Sequence, residues 1–412
     1  MDFRIEPTTD AGRRFCELAE KHAIEAAEIA DANDKTGTFP HELFQSMKDS
    51  GFMASSVPAE YGGGDLYSTH DMAAGLARLG YGDGSVAIAA NMHLVFGLLM
   101  RWVHRFAVET GERAMAEGLP GLLTILGQGL IAMANQTEAG TDLAHPLLEA
   151  TKVDGGWKLN GRKIFGTLSE IADLFLVSAR FEQDDGSWGT GNAFVFRGTE
   201  GQTVQNNWDA LGMRSSGSHD VTYEDVIVPE EVFFSGGAWG EDSVFGLTIL
   251  TGSNLSLLGP FIGIAESARD RVVDMARRRT KAPSNRPIAE RPGIQQLVAE
   301  MDVDLAAARA ILERTTLMFD RAVLDGPIPT LDEMHELHQQ LQCAKLVVNR
   351  NAINVVDRAL TVSGGAGYMS GNPLARQYRD VRAGPFMQPF SPNEAHEYIG
   401  KVALGLPPEV SG

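Results

Sequence analysis

Two segments of the chain carry residue types that suit phosphate binding. Three consecutive arginines, 277–279, close a predicted helix, and guanidinium groups match the oxygens of a phosphate well. Further along, residues 363–368 read Ser-Gly-Gly-Ala-Gly-Tyr after a second predicted helix, and such a glycine turn lets a ligand approach the backbone closely. Each has a structural alternative, because basic residues complement a helix C-terminus and glycines end helices.

Other residue types that commonly carry chemistry are sparse. Cys16 and Cys343 are the only two cysteines, and neither lies in a CxxC pair or at a spacing that suggests a zinc site. The glycine-rich stretch 55–66 has no proper flanking strand and helix, so it is predicted to be a loop rather than a phosphate cradle. These patterns predict no metal site and exclude a disulfide framework.

The residues named above must be positioned by three successive parts of the chain, each with its own sequence pattern. Apolar residues recur at three- and four-residue spacing over 11–51 and 69–118 and again after about residue 245, which predicts helices. Between them lie short runs rich in Val, Phe and Thr, bounded by Gly, Asp or Asn, which predict strands. We predict a mostly α, α+β protein with an N-terminal helical domain (1–128), a middle antiparallel β domain (129–236) and a C-terminal four-helix bundle (237–412).

Composition and order exclude several classes of protein. A net charge of −19 opposes nucleic-acid binding, and an anionic substrate would need local positive charge. Strands and helices do not alternate and no GxGxxG follows a strand, so a doubly wound dinucleotide fold is not expected. The N-terminal residues lack the apolar core of a signal peptide and no uninterrupted apolar run reaches the length of a membrane span, so we expect no membrane partner and a cytoplasmic location.

Five separated strings resemble, in the right order, the acyl-CoA dehydrogenase family, whose fold also serves reduced-flavin-dependent monooxygenases. Together they span about 250 residues of the chain. The strings are AMANQTEAGTD at 132–142, GWKLNGRKIFGTLSEIAD at 156–173, LGMRSSGSHDVTYEDVIVP at 211–229, GPFIGIAESARDRVVDMARRR at 259–279 and SGGAGYMSGNPLARQYRD at 363–380. The resemblance implies the acyl-CoA dehydrogenase fold with bound FAD.

The first two strings imply contacts with the flavin ring. Gln136 and Thr137 correspond to the loop that lies against the flavin, and Thr141 to a pyrophosphate contact. Phe165 matches the aromatic residue that shields the ring, and Thr167 the hydroxyl near flavin N5. Between these two the family usually has isoleucine where this chain has Gly166, which we expect to widen the space beside the cofactor.

The later strings imply contacts with the rest of FAD and with a second subunit. Arg279 matches the arginine that holds the FAD pyrophosphate across a subunit interface, and Gly364 and Gly365 match the turn that the dinucleotide approaches. Glu394 is expected either near the cofactor or as a favourable charge at a helix N-terminus. Since the family completes each site with a neighbouring subunit, the resemblance implies a homotetramer or homodimer.

The catalytic base of the family is missing from both places where it occurs. A dehydrogenase of this type removes a proton from Cα of an acyl thioester with a glutamate. One matching position carries Phe390, and the other carries Ser253 with Asn254 beside it. The catalytic residue therefore stays unassigned.

Three functions remain open at this stage. The first is α,β-oxidation of an acyl-CoA or related thioester in fatty acid metabolism, with an electron-transfer flavoprotein as acceptor. The second is hydroxylation by reduced flavin and oxygen, with a flavin reductase as partner; His93 and His396 could then transfer protons, although structural histidines are commoner. The third is a protein that binds FAD without dehydrogenase activity.

Overall fold

The computed structural model describes residues 3–111 and 113–409, and of residues 113–116 only the backbone. Helices precede and follow a central group of strands. The helices are α1 (Asp10–Thr36), α2 (His41–Asp49), α3 (Thr69–Gly82), α4 (Gly84–Thr110), α5 (Arg113–Gly127), α6 (Val244–Ser256), α7 (Gly259–Arg278), α8 (Pro292–Asp320), α9 (Leu331–Ser363), α10 (Pro373–Asp380) and α11 (Pro392–Ala403). The strands are β1 (Ala132–Asn135), β2 (Glu149–Val153), β3 (Gly156–Gly166), β4 (Leu174–Glu182), β5 (Trp188–Phe196), β6 (Gln202–Val204), β7 (His219–Pro229), β8 (Phe233–Ala238), β9 (Thr280–Lys281) and β10 (Arg286–Pro287).

Strands β1 to β8 form one sheet in the order β6-β7-β3-β2-β4-β5-β8, with β1 beside β4. Most neighbours are antiparallel, as predicted. The pairing of β1 with β4 is parallel, and β2 also meets β4 in parallel at a single position. The prediction of an antiparallel domain was therefore wrong for the pairing of β1 with β4. The cause is topological, because the long connection between β1 and β4 contains the β2–β3 hairpin and lets the chain return as β4 in the same direction as β1.

The C-terminal helices form a bundle around α9. Helices α8 and α9 are antiparallel, since Arg314 contacts Gln340 near one end and Glu300 pairs with Arg358 near the other. Helix α6 lies beside α9, where Thr251 shares a hydrogen bond with His338, and α7 continues it along the bundle. Helix α11 packs on the first half of α9 as the fourth helix of the predicted bundle.

Two helices are long and apolar enough to span a membrane by length and composition. They are the helix Gly84–Thr110 and the nearly continuous run Val244–Arg278, with mean hydropathies of 1.6 and 1.4. Their most apolar windows are 89% and 78% buried against the rest of the protein. Burial in a protein core explains this apolar character.

The N-terminal helices dock on the bundle through small residues. A Cβ atom at Gly263 of α7 would lie 2.1 Å from the carbonyl oxygen of Ala77 on α3, and one at Gly259 would lie 2.3 Å from that of Ala73. From the other side, a Cβ atom at Gly80 would lie 2.6 Å from the carbonyl oxygen of Pro260. The backbones of α3 and α7 can approach this closely only because these positions lack side chains.

We predict that Gly263→Ala lowers the thermal midpoint of the protein, because the added methyl group must force α3 and α7 apart. Overpacking of this kind costs about 1–3 kcal/mol. Gly400→Ala is the matched control, since a Cβ atom in that helical position meets nothing within 4 Å, and it should be neutral or stabilising. Equal midpoints for the two variants, measured by differential scanning fluorimetry, would refute the close packing.

Candidate functional site

An irregularity in β3 turns an aromatic ring outward. Lys163 pairs with Val221 of β7 and Gly166 with His219, so the register shifts between them. Within that shift Phe165 has a φ of 53°, which is unusual for a residue with a side chain. Its ring is 59% exposed. Bulges of this type re-aim a side chain, and here one presents an aromatic ring at the end of the strand.

Gly166 does not widen the space beside this ring. A Cβ atom at Gly166 would lie 2.6 Å from the carbonyl oxygen of His219. The expectation of extra room was therefore wrong, because the missing side chain is filled by the closely approaching backbone of β7. The signal was ambiguous in the sequence, since glycine can indicate either free space or close backbone approach.

A chain of hydroxyl groups lies next to the exposed ring. Thr167 shares a hydrogen bond with Ser218 (2.8 Å), which shares another with the fully buried Ser216 (2.6 Å). Trp208 forms the neighbouring wall, with its ring 6.0 Å from that of Phe165 and its indole N–H donating to the carbonyl of Met213. Ser216, Ser218 and Trp208 were missed by the sequence reading, although both serines lie in the third resembling string.

The loop after β1 is anchored by a buried ion pair. Lys163 and Glu138 are in direct contact, with side chains that are 0% and 6% exposed. The carboxylate of Glu138 also accepts the N–H groups of Leu147 and Leu148, and Lys163 donates to Ser178. Burial lowers the pKa of Lys163 to about 8, while Glu138 opposes the shift. The pair fixes the backbone on both sides of Thr137.

The three residues predicted in this loop behave differently. The carbonyl of Thr137 accepts the N–H of Ile164 at 2.8 Å, which places this loop directly beside the strand that carries Phe165. The side chain of Gln136 donates to the carbonyl of Leu176 on β4. Thr141 donates its hydroxyl to the carbonyl of His145 within its own loop (2.6 Å). The structure thus joins Thr137 to the strand residue that precedes Phe165, but uses Gln136 and Thr141 for internal hydrogen bonds.

The two phosphate-binding candidates meet at the end of the bundle. The guanidinium group of Arg279 donates to the carbonyl of Ser363 at 2.9 Å, immediately before the glycine turn. Gly364 has a φ of 65°, and neither Gly364 nor Gly365 has any atom within 4 Å of an ideal Cβ position. A positively charged group therefore lies beside an open glycine backbone, which suits a phosphate-containing ligand.

The position of the missing base is occupied by an aromatic cluster. The ring of Phe390 lies 5.8 Å from that of His338 and 5.2 Å from that of Tyr398. Burial lowers the pKa of His338 to about 3, so this histidine is neutral near pH 7. Glu394 follows in a capping box, where it accepts the N–H of Ser391 at the start of α11. That contact matches the structural alternative predicted for Glu394.

The second base position is equally unsuited to proton abstraction. Ser253 donates its hydroxyl to the carbonyl of Ile249 at 2.8 Å, and the amide of Asn254 donates to the carbonyl of Leu250 at 2.8 Å. Both side chains therefore hydrogen-bond to their own helix. Neither has a group that takes up a proton at neutral pH.

The two histidines considered as proton-transfer groups have structural contacts. His93 is 2% exposed and its Nδ1 accepts the N–H of Ala132, which joins α4 to β1. Burial lowers its pKa to about 4. His396 is exposed and its Nδ1 lies 2.5 Å from the carbonyl of Pro392 in the same helix. Within the described ranges, no cluster of His, Cys, Asp and Glu could hold a metal ion.

The structure contains two separate features, one suited to a flat aromatic group and the other to a phosphate group. The exposed Phe165 ring, the wall formed by Trp208 and the hydroxyl of Thr167 supply an apolar face and hydrogen-bonding groups. Arg279 and the glycine turn supply the phosphate-binding end. Two surface cavities of about 470 and 710 Å³ lie elsewhere, against α1 and α2 and between α8, α9 and α11.

Family models match most of the chain. The N-terminal domain of acyl-CoA dehydrogenases matches residues 9–110, the middle domain matches 131–226, and a C-terminal domain of the same family matches 255–390. These matches cover in order the helical, strand and helical parts described above.

Several individual relatives are nitrososynthases. The chain is 37% identical to an amino sugar nitrososynthase, DnmZ, of Streptomyces peucetius, over 97% of this chain and 95% of the relative. A nitrososynthase crystal structure from Micromonospora carbonacea var. africana is 34% identical, with a TM-score of 0.89 and coverage of 97% and 98%. KijD3, solved with FMN and dTDP-3-amino-2,3,6-trideoxy-4-keto-3-methyl-D-glucose, is 32% identical, with a TM-score of 0.88 and coverage of 97% and 95%.

We predict that Gly364→Val weakens flavin binding by about tenfold or more, since a β-branched residue at positive φ costs roughly 1–2 kcal/mol and intrudes on the open turn. Thr137→Ala removes at most one hydrogen bond of about 1 kcal/mol and should weaken binding less.

Gly371→Val is the matched control, because that glycine also has open surroundings but lies outside the positive-φ region. Flavin affinity is measured by fluorescence titration of the apoprotein. Full affinity in the Gly364 variant would show that the turn is not part of the site.

Proposed function

The chain belongs to the acyl-CoA dehydrogenase family, and from that premise we propose that it is an oxygenase that oxidises the amino group of a nucleotide-linked amino sugar. It is a flavin-dependent oxidoreductase, and FAD is the cofactor of its family. A dTDP-linked 3-amino sugar, the kind of compound bound to KijD3, is the proposed substrate. Sugar modification would then replace the fatty acid metabolism expected from the sequence.

The observation that supports this proposal most directly is the absence of a carboxylate at both base positions. Phe390 packs against His338 and Tyr398, and Asn254 hydrogen-bonds to its own helix. Dehydrogenation of a thioester requires removal of the Cα proton. Oxidation of an amine at nitrogen does not, because the nitrogen lone pair is the reacting group and the proton that is lost comes from nitrogen, so no C–H bond has to be broken.

The proposed reaction balances with oxygen and reduced flavin as co-reactants. In the first round the amine, oxygen and the two electrons and two protons of reduced flavin give a hydroxylamine, water and oxidised flavin. In a second round the hydroxylamine gives the nitroso compound and two molecules of water. Bound flavin supplies the activation of oxygen, and a flavin reductase is the proposed source of reduced flavin, in preference to an electron-transfer flavoprotein.

The chain's own residues would bind the cofactor and exclude water from it. We assign Thr137, Phe165 and Thr167 to the flavin ring, and Arg279, Gly364 and Gly365 to the phosphate end. Gln136, Thr141 and Glu394 are assigned supporting roles, because their side chains hydrogen-bond within the loops and the helix start that carry these contacts. A cytoplasmic location is part of the same proposal, since reduced flavin must be supplied continuously.

The proposal is tested by comparing two reactions of the purified, flavin-loaded protein. With a flavin reductase, NADH, oxygen and a dTDP-linked 3-amino sugar, mass spectrometry should detect the hydroxylamine and nitroso products. Under anaerobic conditions, acyl-CoA thioesters should leave the flavin oxidised. Rapid anaerobic bleaching by an acyl-CoA, without oxidation of the amino sugar, would instead establish a dehydrogenase; a flavin inert in both assays would indicate a binding protein.

We predict that Phe390→Glu introduces acyl-CoA dehydrogenation. A carboxylate at this position restores the family's base, and general-base catalysis is worth roughly 10²–10⁴-fold. The buried ammonium of Lys345, which donates to the Phe390 carbonyl, favours the ionised form of the new side chain. The measurement is the rate of anaerobic flavin reduction by acyl-CoA.

Phe390→Gln is the control for that experiment, since it changes the shape of the side chain in the same way without supplying a base. Only the glutamate variant should gain activity. If the natural protein already reduces its flavin rapidly with acyl-CoA and the glutamate variant is slower, then the base lies elsewhere and the assignment of Phe390 is wrong.

We also propose that the protein is a homodimer or homotetramer in which Arg279 reaches the cofactor of a neighbouring subunit. Removal of the flavin should then shift the assembly toward smaller species, because ligand binding and association are linked. Analytical ultracentrifugation of the holoprotein and apoprotein measures this shift. A monomer that still binds flavin tightly would contradict the proposal.

A further inference from the structure

The segment 384–390 carries Phe390 and lies on a buried polar face of α9. His338, Gln342, Lys345 and Asn349 follow one another at spacings of four, three and four residues, so they share one face of the helix. Their exposures are 0%, 0%, 3% and 2%. Polar side chains buried this deeply are expensive unless they make specific contacts.

Lys345 makes the strongest contacts of this face. Its ammonium donates to the carbonyl oxygens of Met387 and Phe390, the latter at 2.5 Å. Among the described residues no carboxylate lies within salt-bridge distance of it; the negative charge that acts on it is Glu394, which caps α11. Burial lowers the pKa of Lys345 to about 7, with Glu394 opposing the shift.

The other end of the segment is held by close backbone packing. A Cβ atom at Gly384 would lie 2.1 Å from Oδ1 of Asn349. The main chain at Gly384 therefore rests directly on the amide of Asn349. The segment is thus held at Gly384 by contact with α9, and at Met387 and Phe390 by hydrogen bonds to α9.

These contacts determine where the ring of Phe390 lies. With the backbone of the segment held, the ring packs between His338 of α9 and Tyr398 of α11. An apolar side chain of similar length could fill the volume of Lys345 without the cost of burying an ammonium. The ammonium group instead supplies two hydrogen bonds to main-chain carbonyls, which an apolar side chain could not make.

We propose that Lys345 is a positioning residue, which holds the 384–390 segment so that Phe390 closes the base position and keeps water out of the reaction site. The catalytic consequence rests on the proposed oxygenase function. In that reaction, access of water to the flavin would favour release of hydrogen peroxide and oxidised flavin. Oxygen would then not be transferred to the amine. The structural part of the inference is independent of the substrate.

The structural part is tested by hydrogen–deuterium exchange of the flavin-loaded protein. In Lys345→Met, exchange in peptides covering 384–394 should rise by about tenfold or more, since both hydrogen bonds to the segment are lost. Lys345→Arg, which retains charge and donors, should restore part of the protection. Lys401→Met is the matched control, because Lys401 lies at the end of α11 and pairs with Glu397; it should leave these peptides unchanged.

A second variant probes the same segment from its other end. Gly384→Ala should push the backbone away from Asn349 and raise exchange in the same peptides. It provides the test if Lys345→Met does not fold. Unchanged exchange in the folded variants would overturn the inference.

The catalytic part is tested by coupling efficiency in a double-mutant cycle. Lys345→Met should raise the fraction of reduced flavin that yields hydrogen peroxide severalfold. In a Phe390→Ala background the same substitution should add almost nothing, because Lys345 acts through Phe390. Additive effects would refute that route. If exchange changes as expected but no variant, nor the natural protein, oxidises an amino sugar, the oxygenase proposal fails while the positioning role stands.

Discussion

The buried carboxylate of Asp380 and its partner Arg376 join the N-terminal helices, the loop before β7 and the C-terminal helices. Asp380 is 0% exposed and accepts the N–H of Met213 at 2.7 Å, while Arg376 of the same helix lies 3.3 Å away. Arg376 in turn reaches Asp31 and Asp83 in the N-terminal helices. Burial raises the pKa of Asp380 to about 7 and Arg376 opposes the shift. Removing one member of such a cluster leaves an uncompensated buried charge, which is strongly destabilising.

This junction holds the hydroxyl groups of the candidate site relative to the bundle. The loop that Asp380 holds at Met213 continues into Ser216 and Ser218, which contact Thr167. The helix that carries Asp380 follows the glycine turn at Gly364 by a few residues. The loop that carries Ser216 and Ser218 and the helix that follows the glycine turn therefore meet at one buried ionic cluster, although they come from segments far apart in the sequence.

Much of the fold and part of the site could be predicted from the sequence. Helical and strand periodicities are local properties, and the order of helices, sheet and bundle follows from them. The glycine turn and the arginine run were recognisable because backbone freedom and charge depend on residue type. A single sequence does not specify which segments meet in space. Three features depend on such meetings: the parallel pairing of β1, the close packing at Gly166 and the pairing of Lys163 with Glu138. The hydrogen-bond partner of Thr141 was likewise not predictable from the sequence, since its hydroxyl donates to a carbonyl in its own loop.

Three residues around the end of β3 have strained backbone conformations. Phe165, Leu168 and Met213 all have positive φ values of 53°, 74° and 51°. Conformations of this kind cost of the order of 1–3 kcal/mol each and persist only where surrounding contacts impose them. Those contacts are present here, because Leu168 donates its N–H to Ser216 and Asp380 holds the N–H of Met213. In the proposed oxygenase, the side chains of Phe390 and Asn254 offer no carboxylate for the proton removal that dehydrogenation requires. The contacts that hold Leu168 and Met213 keep the hydroxyl groups of Thr167, Ser218 and Ser216 in place beside the exposed Phe165 ring, which is the arrangement that the proposed oxygen transfer requires.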